Sequence, residues 1–223
     1  MHIATSPLFE RSARIASIGV FGNGLPHWQA AQSVLKGQTI WENIPLTPPA
    51  PVRLPTNERR RATALTRLAF AAAEDAVSQY ETQHAGQASD LLAIFACSGG
   101  DTEVFDVCCS LLAGGGRTLS PTQFHNSVHN APAGYWSIAT AARGASTSLA
   151  GYDSIFAMGL VEALMQITSY QQPCLLVVYD TTPFGALAQV RQVTQAFATA
   201  LILLPDNDTT ARHPLLTLRL VDA

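Results

Sequence analysis

Charge is what this sequence has least of. Asp, Glu, Lys and Arg make up 13% of its 223 residues, where an average globular chain has about 25%. Lysine is nearly missing: Lys36 stands beside twelve arginines. The net charge is −3, so no basic excess marks a nucleic-acid partner. The four cysteines, Cys97, Cys108, Cys109 and Cys174, have no CxxC spacing, which argues against a zinc site or disulfide framework and for buried, reduced thiols. No uninterrupted apolar run reaches 18 residues, so no membrane insertion is expected. The start, Met1-His2-Ile3-Ala4-Thr5-Ser6-Pro7, has neither the charged nor the apolar region of a signal peptide. A cytoplasmic location is expected.

Cofactor and catalytic signatures are missing too. There is no GxGxxG or GxxxxGK[ST], so Gly99-Gly100 and Gly114-Gly115-Gly116 read as turns. His125 and His129 stand four apart, with no HExxH glutamate and no third ligand, so they read as polar braces of a loop. Ser148 and Ser154 lack the GxSxG elbow of a serine hydrolase. No cofactor and no metal is expected.

Apolar residues are abundant: 48% of the chain is hydrophobic, far too much for disorder. Short apolar runs at residues 13–20, 90–97, 146–150, 174–179, 198–204 and 215–221 read as strands. Helical spacing appears at residues 27–36, where Trp28, Ala31, Val34 and Leu35 share a face, and at 59–79 after a cap at Thr56 or Asn57. Asp101 can cap a helix reaching Leu112, and small-residue helices are expected near 133–142 and 153–169. The five prolines in residues 45–55 read as an extended surface loop, and residues 121–132 as a loop. Strands alternating with helices imply an α/β chain with a mostly parallel sheet covered on both faces. One domain over residues 1–223 is expected.

The order of motifs in residues 120–153 carries a resemblance. Ser120-Pro121 precedes an aromatic, Phe124; then come Asn130, Ala133-Gly134, Ser137-Ile138 and Arg143-Gly144-Ala145-Ser146. This resembles the SP, N-x-x-AG, T/S-I and RGP-S run of β-ketoacyl synthases of the thiolase fold, and it aligns without a gap. Upstream, residues 15–20, 28–37, 59–77 and 90–100 resemble the family's first strand, its W-x-x-L-x-x-G helix, its Ala-rich helix and the strand with glycines before the interface helix. Residues 198–204 resemble the strand closing the first half of a synthase. The string FHNSVHNAPAGYWSIAT at residues 124–140 is most similar to the short synthase-like proteins of aryl polyene and related type II polyketide clusters. The resemblance implies a single N-terminal half of the thiolase fold, with a mostly five-stranded mixed sheet flanked by helices.

Two departures from the family bear on function. The position of the family's nucleophilic Cys falls on Asp153, within Tyr152-Asp153-Ser154. An Asp there can cap a helix but is a poor acyl acceptor. The chain also lacks the half that supplies the family's two His and Lys for decarboxylation. No catalytic residue is therefore expected, and activity of the chain alone is improbable. The resemblance instead implies a chain-length-factor-like subunit. It would pair as a heterodimer with a full-length ketosynthase and meet acyl carrier protein through that complex. The tunnel and interface residues it implies are Gln123 (the gate), Phe124, His125, Asn126, His129, Asn130, Tyr135 and Phe105. Two alternatives stand beside it: an atypical acyltransferase or ketosynthase using Asp153 with His125 or His129, and a homodimeric module that binds an acyl chain or carrier protein.

Overall fold

The computed structural model describes residues 9–85, 87–116, 118–207 and 213–220. The N-terminal heptapeptide and Val221 lie outside them. Strand β1 (Phe9–Gly22) leads to α1 (Trp28–Leu35), then a proline-rich loop, α2 (Thr56–Arg61) and α3 (Ala64–Gln83). Strand β2 (Leu92–Ala96) is followed by α4 (Thr102–Ala113), α5 (Pro121–Asn126) and α6 (Ala131–Thr140). Then come β3 (Ser146–Leu149), α7 (Ile155–Tyr170), β4 (Cys174–Asp180), β5 (Phe197–Pro205) and β6 (Leu215–Leu220).

These strands form one sheet in the order β3-β2-β4-β5-β1-β6. The sheet is mixed, not mostly parallel. β2 runs parallel to β3 and β4, while β4–β5, β5–β1 and β1–β6 are antiparallel. Helical crossovers join the three parallel strands, but α1, α2 and α3 separate β1 from β2 without making them neighbours. Where the resemblance implied mostly five strands there are six, the last being β6 on the outer edge of β1.

β2 is buried throughout because both of its faces are covered. Ala93 and Phe95 face the core under α3 and α6, with Leu68, Ala72, Trp136, Val177 and Ile202. Leu92, Ile94 and Ala96 face α7, with Leu164, Ile167 and Leu176. That second face has one helix on it, and Ile15, Leu201, Leu216 and Leu218 are only half-buried there. On the first face α3 approaches β1 very closely: a Cβ on Gly19 would collide with the Ala72 carbonyl and the Ala76 nitrogen. Beside it, Ser17 Oγ donates to the Ala76 carbonyl at 2.8 Å.

The helix expected at 59–79 is two helices. Ala62 is extended, with ψ 122°, and Thr63 restarts the chain by accepting the Thr66 N–H at 3.3 Å. The segment expected as a loop from Pro121 begins helically, because Ser120 and Gln123 form a reciprocal capping box with proline in the first turn. Asp101 caps α4 as expected, accepting the Val104 N–H at 3.1 Å. All four cysteines are free, but Cys109 is exposed and Cys108 half-buried, so the thiols are not uniformly buried. Among the described residues, no helix is long and apolar enough to cross a membrane.

Candidate functional site

Ligand sites in α/β sheets form beyond the carboxyl ends of parallel strands, and three such ends lie side by side here. β2 ends in Cys97-Ser98-Gly99-Gly100, β3 in Ala150-Gly151-Tyr152-Asp153, and β4 in Asp180. Asp180 ties the first of these to the last: its Oδ1 accepts from Ser98 Oγ at 2.6 Å, Ser98 N at 3.1 Å and Cys97 Sγ at 3.4 Å. Burial, followed by the charge of Asp180, pushes the Cys97 thiol up to about 12, so it stays protonated and poorly nucleophilic.

Asp153 is 80% exposed at its side chain and pairs with Arg191 at 3.2 Å. It does not cap α7 as expected. The residue at the cap position is Ser154, and no side chain there accepts a helix N–H. A tight turn instead donates the Ser154 N–H to the Gly151 carbonyl and the Ile155 N–H to the Tyr152 carbonyl. Tyr152 takes the left-handed conformation, with φ 49°, which lays its ring 4.0 Å under the Arg191 guanidinium. Arg191 is only 14% exposed. A stacked, paired guanidinium therefore covers the turn that carries Asp153. Neighbouring strand ends are closed over by residues 181–196, with Phe184 N donating to Thr102 Oγ1 at 3.0 Å.

The remaining candidates fall into two groups. Gln123 lines a cleft of about 320 Å³ with Thr63, Ala64, Asp101, Val104 and Val107. Its carbonyl accepts the Ser120 N–H at 3.3 Å in the capping box, so the Gln123 amide group is oriented by its own helix. Phe105 and Phe124 are 56% and 65% exposed. They belong to a set of outward apolar side chains on α4 to α7 that includes Val128, Ile138, Phe156 and Met158. His125 is exposed, with its ring edge-on to Tyr135 at 5.2 Å. Asn130 is exposed and precedes α6.

Asn126 and Tyr135 lie inward. Asn126 is buried and donates to the carbonyls of Arg61 and Thr122 at 3.0 and 3.1 Å, which joins α5 to α2. Tyr135 is in the core, where burial and then the charge of Glu58 push its phenol up. His129 donates through Nε2 to the Cys97 carbonyl at 3.2 Å, fastening the turn between α5 and α6 to the end of β2. His125 and His129 do not share a helix face, since α5 ends at Asn126.

Among the described residues the sheet ends on this side in β3, which pairs with β2 alone. Sequence reasoning did not reach Arg191, because residues 181–196 carry no periodicity or motif. Asp180 was detectable in principle: it is an acidic residue that directly ends an apolar strand.

Over residues 28–219 the chain matches the family model for the beta-ketoacyl synthase N-terminal domain. It belongs to that family. The order of elements and the mixed sheet are those of its thiolase-like fold. No curated protein sequence matches the chain. Among solved structures it is similar to a ketosynthase (ApeO) in complex with its chain length factor (ApeC) from Xenorhabdus doucetiae. That match has 26% identity and a TM-score of 0.69, over 87% of this chain and 79% of the other. It is also similar to the ishigamide ketosynthase/chain length factor, at 13% identity and TM-score 0.72, over 91% of this chain and 64% of the other. A beta-ketoacyl synthase from Burkholderia phymatum matches at 15% identity and TM-score 0.68, over 92% and 61%. The last two likenesses show the fold alone, and against them the chain spans under two thirds of the neighbour's length.

Proposed function

We propose that this chain, acting over residues 1–223 as one synthase-like N-terminal half, is a non-catalytic chain-length-factor-like subunit. It pairs in the cytoplasm with a full-length ketosynthase and shapes that enzyme's acyl tunnel during type II polyketide elongation of the aryl polyene kind. The observation that carries this reading is the Asp153–Arg191 ion pair, with Arg191 stacked on Tyr152, at the position that the order of motifs aligns with the nucleophile of synthases in this family. An exposed carboxylate on a tight turn, with its charge already neutralised, gives an acyl group no stable thioester and no activated attack.

Two further features support pairing. β3 is an edge strand, and Phe105, Phe124, Ile138 and Phe156 on α4 to α7 point outward; a free edge and exposed apolar side chains suit an obligate partner. The X. doucetiae neighbour, described as a ketosynthase with its chain length factor, shares 26% identity with this chain. A carrier protein would reach the pair through the ketosynthase. On this reading Gln123 and Val104 bound the far part of the tunnel. Each CH₂ that finds space there gains about 0.8 kcal/mol, enough to shift partitioning between extension and release several-fold.

The test is reconstitution with a ketosynthase and acyl carrier protein. The chain alone should take up no acyl group from carrier thioesters, by intact-protein mass spectrometry, and should not decarboxylate malonyl thioesters. With the ketosynthase, Gln123→Ala should lengthen the products and Gln123→Trp shorten them. A stable acyl adduct on the chain by itself, or failure to form a complex with any ketosynthase encoded beside it, would overturn the reading.

A further inference from the structure

Far from that surface, the C-terminal end of α3 meets the start of β6 through two histidines. His84 Nε2 and His213 Nε2 are 3.1 Å apart, across 129 residues of sequence. The other ring nitrogen of His84, Nδ1, lies 3.1 Å from the Tyr80 carbonyl. A carbonyl only accepts, so Nδ1 carries the proton, and in the neutral ring Nε2 is a bare lone pair aimed at His213. The Tyr80 ring stacks on His84 at 4.5 Å, and the two imidazoles stack at 5.2 Å between centroids. Both rings are half-buried, which holds their planes while leaving the nitrogens reachable from water.

We infer that His84 and His213 form a binding site for a late first-row divalent cation such as Ni²⁺, Zn²⁺ or Cu²⁺. Imidazole is the favoured nitrogen ligand of these ions. Metal–nitrogen bonds of about 2.0–2.1 Å place two ligand nitrogens roughly 2.9 Å apart at a right angle and roughly 3.3 Å apart at the tetrahedral angle. The observed 3.1 Å lies between these. The Nδ1–H to backbone carbonyl bond is the outer contact that fixes tautomer and orientation in metal-ligating histidines. His213 Nδ1 has no protein partner among the described residues, so it is free to carry that ring's proton while Nε2 turns its lone pair to the ion.

The charged groups nearby do not occupy the site. Arg14 donates to the His213 main-chain carbonyl at 3.2 Å and is itself paired with Asp206 at 3.3 Å. Among the described residues no third His, Cys, Asp or Glu completes a cluster. With a metal in place, β6 would be fastened to α3, and stability would rise with metal concentration by mass action.

The experiment titrates NiCl₂ into the untagged protein, with Cys108 and Cys109 replaced by Ser, by calorimetry and thermal melting. One Ni²⁺ per chain is expected, with a rise in Tm. His84→Gln and His213→Gln should each weaken binding at least tenfold and remove the metal-dependent rise, measured against each variant's own metal-free Tm. Cu²⁺ should bind more tightly than Ni²⁺ or Zn²⁺. On the unsubstituted histidines, Zn²⁺ should shift the ¹⁵N resonances of both Nε2 atoms together, which reads the site even if a variant fails to fold. Unchanged affinity in the variants, or Nε2 resonances that do not move at saturating Zn²⁺, would overturn the assignment.

Discussion

Replacing Phe124 with Glu separates partner binding from folding. Phe124 lies on α5 and is 65% exposed. A Phe side chain presents about 200 Å² in all, so roughly 130 Å² is in contact with water. Covering that area in an interface yields about 3 kcal/mol at 25 cal/mol per Å². The Glu variant forgoes this and must also desolvate a carboxylate. At 1.4 kcal/mol per decade, the complex with a ketosynthase should weaken by about 100-fold or more. Folding should hardly respond, because surface substitutions away from special features stay within about 0.5 kcal/mol. The hydrogen bonds around Phe124 also use only its main chain: its N–H to the Ser120 carbonyl and its carbonyl from Ser127 Oγ. The assay is calorimetric titration of the ketosynthase with wild-type and variant chains, alongside urea melts of each. If affinity stays within threefold of wild type, Phe124 is outside the interface and the apolar surface on α4 to α7 has another purpose. If the melt shifts by as much as the affinity, the loss is one of folding and the argument fails in a different way.

Three further outcomes are expected. Gly19→Ala should cost about 2 kcal/mol or more, because its Cβ meets helix backbone that cannot swing aside; the Tm should drop by roughly 4–8 °C, and an unchanged circular-dichroism melt would refute the close approach of α3 to β1. Iodoacetamide at pH 8 should label Cys109 in the native protein but not Cys97 or Cys174, whose thiols burial pushes up to about 12; native labelling of Cys97 at the rate of Cys109 would contradict this. The hydrogen bond from Arg53 at 2.6 Å holds the Glu81 carboxyl below its ordinary value, so its contribution is present at neutral pH and lost as pH falls through the folded-state pKa. Glu74 also faces Arg53, but its pKa is raised, mainly by burial. Arg53→Ala should therefore be less stable than wild type at pH 7, with the gap closing near pH 3; an equal gap in urea midpoints at both would be the contrary result.

Much of the fold was legible because period and punctuation agreed. The apolar run at 90–97 is a strand buried on both faces, and Asp101 starts α4 where a cap residue precedes helical spacing. What local pattern could not supply was direction. A strand's residues do not say whether its neighbour runs alongside or against it, so the alternation of elements points to a mostly parallel sheet, and the mixed sheet that is found follows only from the family resemblance. The break at Ala62–Thr63 was missed because a threonine inside an apolar-periodic stretch looks the same as a threonine that caps. Motif order singles out Asp153 but says nothing of its surroundings. Its partner, Arg191, comes from an irregular segment 38 residues away. Asn126 is a polar residue in a loop-like stretch, and only the packing of α5 on α2 shows that it points inward.

The open edge at β3 is four residues long. A foreign strand laid along it would gain only a few main-chain hydrogen bonds, each worth about 0.5–1.5 kcal/mol net. Bringing two proteins together costs about 4–15 kcal/mol in lost freedom, so backbone pairing alone cannot hold a stranger. A longer bare edge would template indiscriminate sheet growth, the route to fibres. Here the ladder is too short for that, and only a surface shaped to outward side chains such as Phe105, Phe124, Ile138 and Phe156 can supply the rest. The brevity of this strand thus places the choice of companion at this edge in side chains, which can change without disturbing the sheet.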